Sequence, residues 1–405
     1  MDRGERALSS LWRHRDFLKL WAGQAISQTG SRISREGIPL TAVLLLGATP
    51  LQMGYLSGAS AGAVLLFGLL AGAWSDRLRR RPVMIAADLA RAGLLATIPL
   101  AALAGRLTLH HLYAVAALTG ILTVWFDAGY QAYLPALLDR EDLVEGNGKL
   151  AMSDSAAEIV GPGLTGILVQ WLTAPMAIAL DAASFVVSAA SLAWIGHREP
   201  PKARVAGGNI AAEIAEGLRV SWTNPVLRAL LLRTATASFF LGFIASLYMV
   251  FAIRELRLTP ALLGLVISVG GFSSLLGAWV NDRLVRRFGI ANTFLVAAIA
   301  TGFTAVLPPL AGGPVLLAAG QVFDMSWSVY NINEISIRQS AAPEAVLGRV
   351  NSAMHLLYAG LLPLGSLAGG ALAQYAGMRV SMLTGAAGVM VSTLWLANIK
   401  RDGVQ

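Results

Sequence analysis

The chain has 405 residues, of which 56% are hydrophobic and only 13% charged, and it carries a formal net charge of +8. This composition is far more apolar than that of soluble domains, so it indicates an integral membrane protein. The positive charge does not indicate a nucleic-acid partner, because the cations lie at the ends of apolar runs instead of forming a basic face. The absence of cysteine excludes disulfides and thiolate metal sites.

Apolar runs long enough to cross the roughly 30 Å hydrocarbon core follow one another along the whole chain. We expect no removable signal peptide, because the first run is not followed by a small-residue cleavage site. Twelve membrane helices are predicted, near Phe17–Leu46, Leu51–Ala73, Val83–Ala104, Leu112–Leu134, Ala151–Leu172, Met176–Ile195, Leu227–Ile253, Ala261–Val280, Ala291–Leu310, Val315–Ser336, Ser352–Tyr375 and Val380–Ile399.

The predicted loops differ in charge on the two sides of the membrane. Most of the 31 Lys and Arg residues fall at the two termini and in every second loop. The opposite loops hold only Arg106, Arg254, Arg257 and Arg379. Because short cytoplasmic loops are enriched in Lys and Arg, both termini are predicted to be cytoplasmic.

One long polar segment, residues 197–225, divides the chain. From Asn209 to Trp222 its apolar and charged residues alternate with a helical period, which predicts an amphipathic helix at the inner membrane face. The predicted organisation is therefore a six-helix bundle over residues 1–196, a cytoplasmic linker over 197–225 and a second six-helix bundle over 226–405.

A cationic motif between the second and third predicted helices recurs in the second half of the chain. The first copy begins at Gly72 and the second at Gly277, about 205 positions later, with one residue inserted before the acid-Arg pair. Such parallel repeats of six-helix halves are a transporter architecture. The motif residues are Gly72, Asp76, Arg77, Arg80 and Arg81, with Asp282 and Arg283 as the acid-Arg pair of the second copy.

The first copy, Gly72-x-x-x-Asp76-Arg77-x-x-Arg80-Arg81, resembles the signature between the second and third helices of the major facilitator superfamily, although Arg79 replaces the usual glycine. The stretch 331–370 is similar to the branch that holds enterobactin exporters and macrolide efflux pumps. The resemblance covers essentially the whole chain. It implies an all-α integral membrane protein with twelve transmembrane helices in two pseudo-symmetric six-helix bundles.

The resemblance also implies a gate. The Asp76 carboxylate would meet the N-terminal end of a helix from the other bundle and an arginine, a mechanism consistent with the attraction of helix N-termini for anions. The alternative is a solvated charge in a loop. Asp282 and Arg283 would form the weaker second copy. Asp88 and Arg91, three residues apart on one helix face, are predicted to form a structural pair at the inner gate.

Ionisable groups inside the predicted spans cost roughly 2.5 to 3.5 kcal/mol each to insert, so each is a functional candidate. Glu36 lies beside Arg35 and four residues from Arg32, and a conformational change that separated it from the guanidinium groups would let it carry a proton. The alternative is an internally satisfied ion pair that fixes helix packing. The candidates for proton coupling or substrate contact are Arg32, Arg35, Glu36, Asp127, Glu158, Asp324 and Glu334.

Asp127 and Glu334 lie at near-equivalent depths of the fourth and tenth predicted helices, eight residues before Pro135 and nine before Pro343. The family resemblance implies that the first, fourth, seventh and tenth helices line a central cavity. We therefore expect both carboxylates to face that cavity. Hydrogen bonding between helices is the alternative role.

A glycine- and proline-rich stretch in the fifth predicted helix follows Glu158. Its residues Gly161, Pro162 and Gly166 are similar to the Gly-Pro-x-x-Gly-Gly part of the antiporter motif, with Thr165 in place of one glycine. The glycines allow a neighbouring helix to approach closely, and the proline removes a backbone hydrogen bond and kinks the helix. The match indicates export by antiport.

These features together predict a secondary transporter of the bacterial plasma (inner) membrane. It would export hydrophobic or amphipathic small molecules, drug- or siderophore-like, in exchange for protons, and would work as a monomer. A metabolite importer or uniporter of the same fold is the alternative. No Walker loop, zinc-ligand cluster or nucleophile-base pair is present in the sequence, so neither an enzyme nor a cofactor is predicted.

Overall fold

The computed structural model describes residues 11–75, 79–197 and 210–397, and all regular structure in these ranges is helical. Short 3-10 turns occur at Leu11–Arg13, Glu344–Val346 and Thr393–Leu396. The helices are α1 (Arg15–Leu44), α2 (Pro50–Ser75), α3 (Arg80–Leu103), α4 (Leu109–Leu137), α5 (Leu143–Leu172), α6 (Ala174–Ala193), α7 (Ile210–Thr223), α8 (Pro225–Arg254), α9 (Pro260–Phe288), α10 (Ile290–Thr304), α11 (Leu307–Leu310), α12 (Pro314–Phe323), α13 (Met325–Ala341), α14 (Leu347–Ala376) and α15 (Met378–Ser392).

Eight helices in the described ranges are long and apolar enough to cross a membrane. They are α3, α4, α6, α8, α9, α14, the segment Ile290–Leu310 that joins α10 to α11, and the segment Met378–Leu396 that begins with α15. Each predicted span coincides with one helix or with two consecutive helices. The tenth predicted span comprises α12 and α13, which are separated at Asp324. There, backbone hydrogen bonds to the third preceding residue replace the α-helical pattern.

The internal repeat predicted from the motif is visible in the helices themselves. Helices α1, α5, α8 and α14 each contain 30 residues. The bounds of α8 follow those of α1 by 210 positions, and those of α14 follow those of α5 by 204. The turn from α5 to α6 at Thr173 (φ 82°, ψ 155°) has the same backbone as the turn from α14 to α15 at Gly377 (φ 89°, ψ 156°). Gly377 adopts this positive φ without the steric penalty that Thr173 incurs.

The chain divides into two compact units, residues 1–46 with 66–207 and residues 47–65 with 208–405. In the first unit α1 packs on α6 and α5, and α3 packs on α6 and α4. In the second unit α8 packs on α14 and α15, while α13 packs on α9 and α10. Each unit therefore buries its own core, the first around Phe17 and Tyr133 and the second around Phe294 and Tyr330.

The compact units differ from the predicted bundle boundaries in one segment. Residues 47–65, which the sequence prediction assigns to the first bundle, belong to the second unit. A Cβ atom at Gly54 would lie 2.6 Å from the Ser366 carbonyl oxygen, and one at Gly58 would lie 3.4 Å from the Leu367 side chain. The first part of α2 thus lies directly against α14.

Helix α7, in the predicted linker, packs on α14 and α8 within the second unit. A Cβ atom at Gly217 would lie 2.1 Å from the carbonyl oxygen of Arg349, so only glycine allows this approach. The Arg349 guanidinium donates to the Glu216 carboxylate at 2.8 Å beside that contact. The described part of the linker is therefore anchored to the second unit.

The C-terminal end of α6 is held by cations from two other helices of the first unit. Arg81, near the start of α3, donates to the carbonyl oxygen of Leu192 at 2.8 Å and to that of Ala193. Lys19 of α1 donates to the carbonyl oxygen of Trp194 at 2.7 Å. The last carbonyl groups of a helix lack intrahelical partners, so these cations satisfy them and complement the helix dipole.

Candidate functional site

A buried arginine links α1 to α5 in the first unit. Arg32 is only 8% exposed, and its guanidinium meets Asp154 at 3.1 Å and Glu158 at 3.3 Å. The two carboxylates lie one turn apart on α5, and their side chains are 49% and 57% exposed. Two of the predicted candidates, Arg32 and Glu158, are therefore in direct contact, and the guanidinium is shared between two acids.

The first glycine of the antiporter-like motif makes room for this arginine. A Cβ atom at Gly161 would lie 2.5 Å from the Cβ atom of Arg32 and 2.8 Å from its Cγ atom. The Thr165 hydroxyl donates to the Gly161 carbonyl oxygen at 2.8 Å, and Pro162 lies inside the helix next to them, with Gly166 buried one turn further on. Gly161 of the motif thus brings the α5 backbone into contact with the aliphatic part of the Arg32 side chain.

Glu36 and Arg35, one turn beyond Arg32 on α1, have a different environment. The Arg35 side chain is exposed and that of Glu36 is half-buried. Within the described ranges neither side chain has an ion-pair partner at 4 Å or less, since the Arg32 guanidinium is bound to α5 instead. Glu36 is therefore a carboxylate of α1 without a direct counterion among those residues.

Asp88 and Arg91 form the pair that their spacing predicts. The Asp88 carboxylate is fully buried and accepts a hydrogen bond from the Arg91 guanidinium. That guanidinium lies between the rings of Phe126, at 4.5 Å, and Phe185, at 4.1 Å. Asp127, the next residue after Phe126, has an exposed side chain. Charge pairing and two aromatic faces compensate the burial of Arg91.

The first copy of the cationic motif lies partly outside the described residues, since Asp76 and Arg77 fall in the gap between 75 and 79. Gly72 is in the last turn of α2 and Arg80 is the first residue of α3. Arg81 binds the end of α6, as described above. The described part of the motif therefore connects the start of α3 to α6.

In the second copy the acid and the arginine point to different neighbours. Asp282 pairs with Arg286 at 3.5 Å on an exposed surface, and the Arg283 guanidinium lies 3.9 Å from the centre of the Trp279 ring. Asn281, the residue before Asp282, is buried and accepts a hydrogen bond from Asn333 of α13 at 2.6 Å. The second copy thus includes a buried polar contact between α9 and α13.

A cavity of about 840 Å³ lies inside the second unit. Its walls come from α8, α10, α11, α12, α13, α14 and α15, and they include Thr234, Ser238, Tyr248, Thr301, Gln321, Asp324, Trp327, Tyr330, Asn331, Glu334, Arg338, Asn351, His355 and Tyr358. Glu334 is 5% exposed and pairs with Arg338 at 3.3 Å, one turn along the same helix. Asp324 and Glu334 therefore line one cavity, the first from the break between α12 and α13.

Arg233 of α8 is a wall residue of this cavity that is absent from the predicted candidates. It is only 2% exposed, and its guanidinium lies 3.7 Å from the centre of the Tyr330 ring and 6.0 Å from that of Trp327. The available signal was an arginine six residues inside the predicted span Leu227–Ile253, beyond Arg228 at the start of that span. A cation so close to a span end normally extends its side chain to the interface, and Arg233 does not.

An internal repeat of membrane helices with charged residues inside them is an architecture that many secondary transporters have. The family model of the Major Facilitator Superfamily matches residues 20–362. The chain therefore belongs to this superfamily, and it is a membrane transporter and not an enzyme.

Two curated relatives align with most of the chain. The protein named Multidrug efflux pump Tap of Mycolicibacterium fortuitum is 30% identical over 334 residues, which cover 79% of this chain and 80% of the relative. The Macrolide efflux protein A of Streptococcus pyogenes is 25% identical over 361 residues, with 86% and 87% covered. The resemblance to the drug-efflux branch that the sequence indicates is thereby confirmed.

Solved transporter structures share the fold at low sequence identity. A bacterial homologue of the iron transporter ferroportin, in its inward-facing state, superposes with a TM-score of 0.76 at 20% identity, over 96% of this chain and 99% of the homologue. The nucleoside transporter NupG superposes with a TM-score of 0.72 at 14% identity, with 95% and 99% covered. At these identities the likeness concerns the fold alone.

Proposed function

We propose that this transporter exports hydrophobic or amphipathic small molecules in exchange for protons. The direction of transport, out of the cell, is inferred from the relatives. The chain aligns with a protein named as a multidrug efflux pump and another named as a macrolide efflux protein, over about four fifths or more of both chains. Drug- or siderophore-like compounds are accordingly the first substrates to test. A metabolite importer or uniporter would give the opposite or an uncoupled flux.

Three carboxylates are proposed to carry the proton. An ionised carboxylate in a membrane helix is costly unless it is paired or hydrated, so gain and loss of a proton changes the free energy of each conformation. In the first unit, Glu36 and Asp127 have no ion pair at 4 Å or less among the described residues, so neither has to break a direct ion pair there to take up a proton. In the second unit, Glu334 is paired with Arg338, and its proton uptake would release that arginine.

The cavity of the second unit is proposed to hold part of the substrate. Its volume of about 840 Å³ falls within the range of roughly 300 to 1,000 Å³ that suits drug-sized ligands. Trp327, Tyr330 and Tyr358 supply aromatic contacts, and Asp324 and Glu334 supply polar ones. In the first unit, Arg32, Arg35 and Glu158 would complete the set of charged contacts.

The motif residues are proposed to act as a gate. Gly72, Asp76, Arg77, Arg80 and Arg81 would control opening of the cytoplasmic side, supported by the buried Asp88–Arg91 pair, and Asp282 with Arg283 would form the second copy. Gly161, Pro162 and Gly166 would allow α1 and α5 to rock against each other, since Gly161 brings the two helices into close contact.

The proposal includes topology and organisation. Twelve helices would cross a bacterial plasma (inner) membrane with both termini in the cytoplasm, as the distribution of Lys and Arg favours. Two six-helix bundles, residues 1–196 and 226–405, would alternate access around the substrate, joined by the linker 197–225. The protein would act as a monomer, with the small molecule, protons and the lipid bilayer as its partners and no nucleic acid.

The test is internal pH in proteoliposomes with an imposed proton gradient, to which erythromycin, lipophilic cations or siderophore-like compounds are added. We expect substrate-dependent proton movement in the parent protein and its loss in at least one of Glu36→Gln, Asp127→Asn and Glu334→Gln. Glu141→Gln, a change at an exposed loop carboxylate, is the matched control and should behave like the parent. Substrate movement without proton flux, or parent-like behaviour of all three variants, would contradict the proposal.

A further inference from the structure

We propose that the cavity of the second unit contains a site for the anionic group of an amphipathic ligand, formed by Arg233. The ligand would carry one oxyanion, such as a carboxylate, on an aromatic or aliphatic body. This inference rests on the proposed function only in taking the cavity as part of the substrate pathway. It narrows the substrate class from amphipathic molecules in general to amphipathic anions.

The first support is the state of the Arg233 side chain. It is 98% buried, yet its Nε and Nη2 atoms have no hydrogen-bond partner in the described parts of the chain. Burying a charged donor without a partner is strongly unfavourable, so such a group normally has a ligand, an ion or water to bind. Arg233 lines the cavity, which is where that partner can reach it.

The second support is the geometry of the guanidinium. Its central carbon atom, Cζ, lies over the Tyr330 ring, 3.7 Å from the ring centre. The N–H donors of a guanidinium lie along its edge, and two of those of Arg233, on Nε and Nη2, have no partner among the described residues. The fork that those donors form matches the two oxygens of a carboxylate. The guanidinium thus packs on Tyr330 while two of its donors remain available to an oxyanion.

The third support is the local charge. Two guanidinium groups, Arg233 and Arg338, lie near a single carboxylate, Glu334, which Arg338 binds at 3.3 Å. The Nε atom of Arg338 also lacks a partner among the described residues. The other cavity acid, Asp324, precedes Tyr330 by six residues, about 9 Å along the helix axis. This end of the cavity therefore has one positive charge in excess.

The other residues of the cavity wall determine which kind of ligand body fits beside the anionic group. Trp327, Tyr330 and Tyr358 face the same space as apolar residues of α8 such as Leu241 and Ile244. A small inorganic anion would leave this surface in contact with water. An aromatic or aliphatic body fills it, while the anion reaches the guanidinium.

The test compares pyrenebutyrate, which carries a carboxylate, with its neutral analogue pyrenebutanol. Binding to the purified full chain in detergent is measured by equilibrium dialysis without any gradient. We expect the parent to bind the carboxylate at least about tenfold more tightly, because hydrogen bonds to charged groups are worth that much or more. Arg233→Met should weaken carboxylate binding about tenfold to hundredfold and leave pyrenebutanol binding unchanged.

Two further variants keep the result interpretable. Arg228→Met changes an exposed arginine of the same helix outside the cavity and should bind both probes like the parent. Glu334→Gln removes the carboxylate that competes for the guanidinium groups, so it should tighten pyrenebutyrate binding even if Arg233→Met does not fold. Water alone as the partner of Arg233 predicts equal binding of the two probes.

The inference is overturned by equal affinity of the parent for the two probes, by equal carboxylate binding in Arg233→Met and Arg228→Met, or by unchanged carboxylate binding in Glu334→Gln. Its failure is separable from failure of the proposed function. If the protein exports cations in exchange for protons but does not prefer the carboxylate probe, only the proposal of an anion site fails. If carboxylate binding depends on Arg233 but no proton-coupled transport occurs, only the proposed export mechanism fails.

Discussion

The replacement of Gly161 by alanine tests how tightly α1 and α5 are fitted. The added Cβ atom would lie 2.5 Å from the Cβ atom of Arg32 and 2.8 Å from its Cγ atom. Carbon atoms in contact are ordinarily about 3.5 to 4.0 Å apart, so the two helices must separate by roughly 1 Å at this point. Rotating the Arg32 side chain does not relieve the clash, because Cβ is fixed by the backbone.

Helix α1 has little room to move, because its other side is packed on α6. A Cβ atom at Gly23 would lie 1.9 Å from the Ser191 hydroxyl oxygen, and one at Gly30 would lie 2.2 Å from that of Ser184. Moving α1 away from α5 therefore compresses its contacts with α6. It also lengthens the bonds from Arg32 to its two acids on α5.

We expect Gly161→Ala to lower the free energy of unfolding by about 1 to 3 kcal/mol, the usual range for overpacking. Loss of the Arg32 ion pairs would place the value at the upper end. Thermal unfolding of the purified protein in detergent measures the effect. The matched control is Gly148→Ala on the same helix, where nothing lies within 4 Å of the added atom. Helix propensity alone should make the control neutral or more stable by up to about 1 kcal/mol.

A Gly161→Ala protein that unfolds at the same temperature as Gly148→Ala would refute this reasoning. A structure of the variant in which α1 has not moved and Arg32 still binds both acids would refute it as well.

Three other substitutions have definite expectations in the same unfolding measurement. Gly365→Ala should destabilise more than Gly161→Ala, because its Cβ atom would lie 1.7 Å from the backbone oxygen of Phe239, and only movement of a helix backbone can relieve that clash. Asp88→Asn should cost about 3 to 5 kcal/mol, since it leaves the buried Arg91 without its carboxylate; a shift of less than a degree would contradict this. Arg81→Met should cost about 1 kcal/mol because two donors to the end of α6 are lost, and unchanged unfolding would show that those bonds contribute nothing.

The two units build one helix crossing in different ways. With the repeat offsets of 210 and 204 positions, Arg32 corresponds to Gly242, and Gly161 corresponds to Gly365. In the second unit a Cβ atom at Gly242 would lie 2.7 Å from the carbonyl carbon of Gly365, so the backbones touch directly. In the first unit an arginine occupies that position and binds acids on the facing helix. This helix crossing therefore contains an ion-paired arginine in the first unit and a direct backbone contact in the second.

Features that depend on local spacing could be predicted from the sequence. The helices follow from the apolar runs, and the Asp88–Arg91 pair follows from a separation of three residues on one helix. The repeat of the cationic motif indicated the duplication that the helix lengths display. The pair could be predicted because its two residues are neighbours in the chain. The helices could be predicted because the apolar bilayer requires long apolar segments with internally bonded backbones.

Features that depend on tertiary packing could not be predicted. The motif at Gly161 indicated a close helix contact, but nothing in the sequence names Arg32, 129 positions earlier, as the residue it accommodates. Arg233 lies in an apolar run and has the position of an interfacial cation, so its stacking on Tyr330 is decided by the approach of α8 to α13. The break at Asp324 has neither glycine nor proline to signal it.

The cations that cap α6 have a consequence for mapping topology by mutagenesis. Lys19 and Arg81 belong to the excess of positive charge that predicts which ends of the helices are cytoplasmic, and both also bind carbonyl oxygens at the end of α6. Neutralising either one removes an insertion signal and a helix cap together. An altered reporter pattern in such a variant would therefore mix a changed orientation with a weakened fold. Arg140, exposed in the loop between α4 and α5, is a residue at which the orientation signal can be changed without removing one of these two caps.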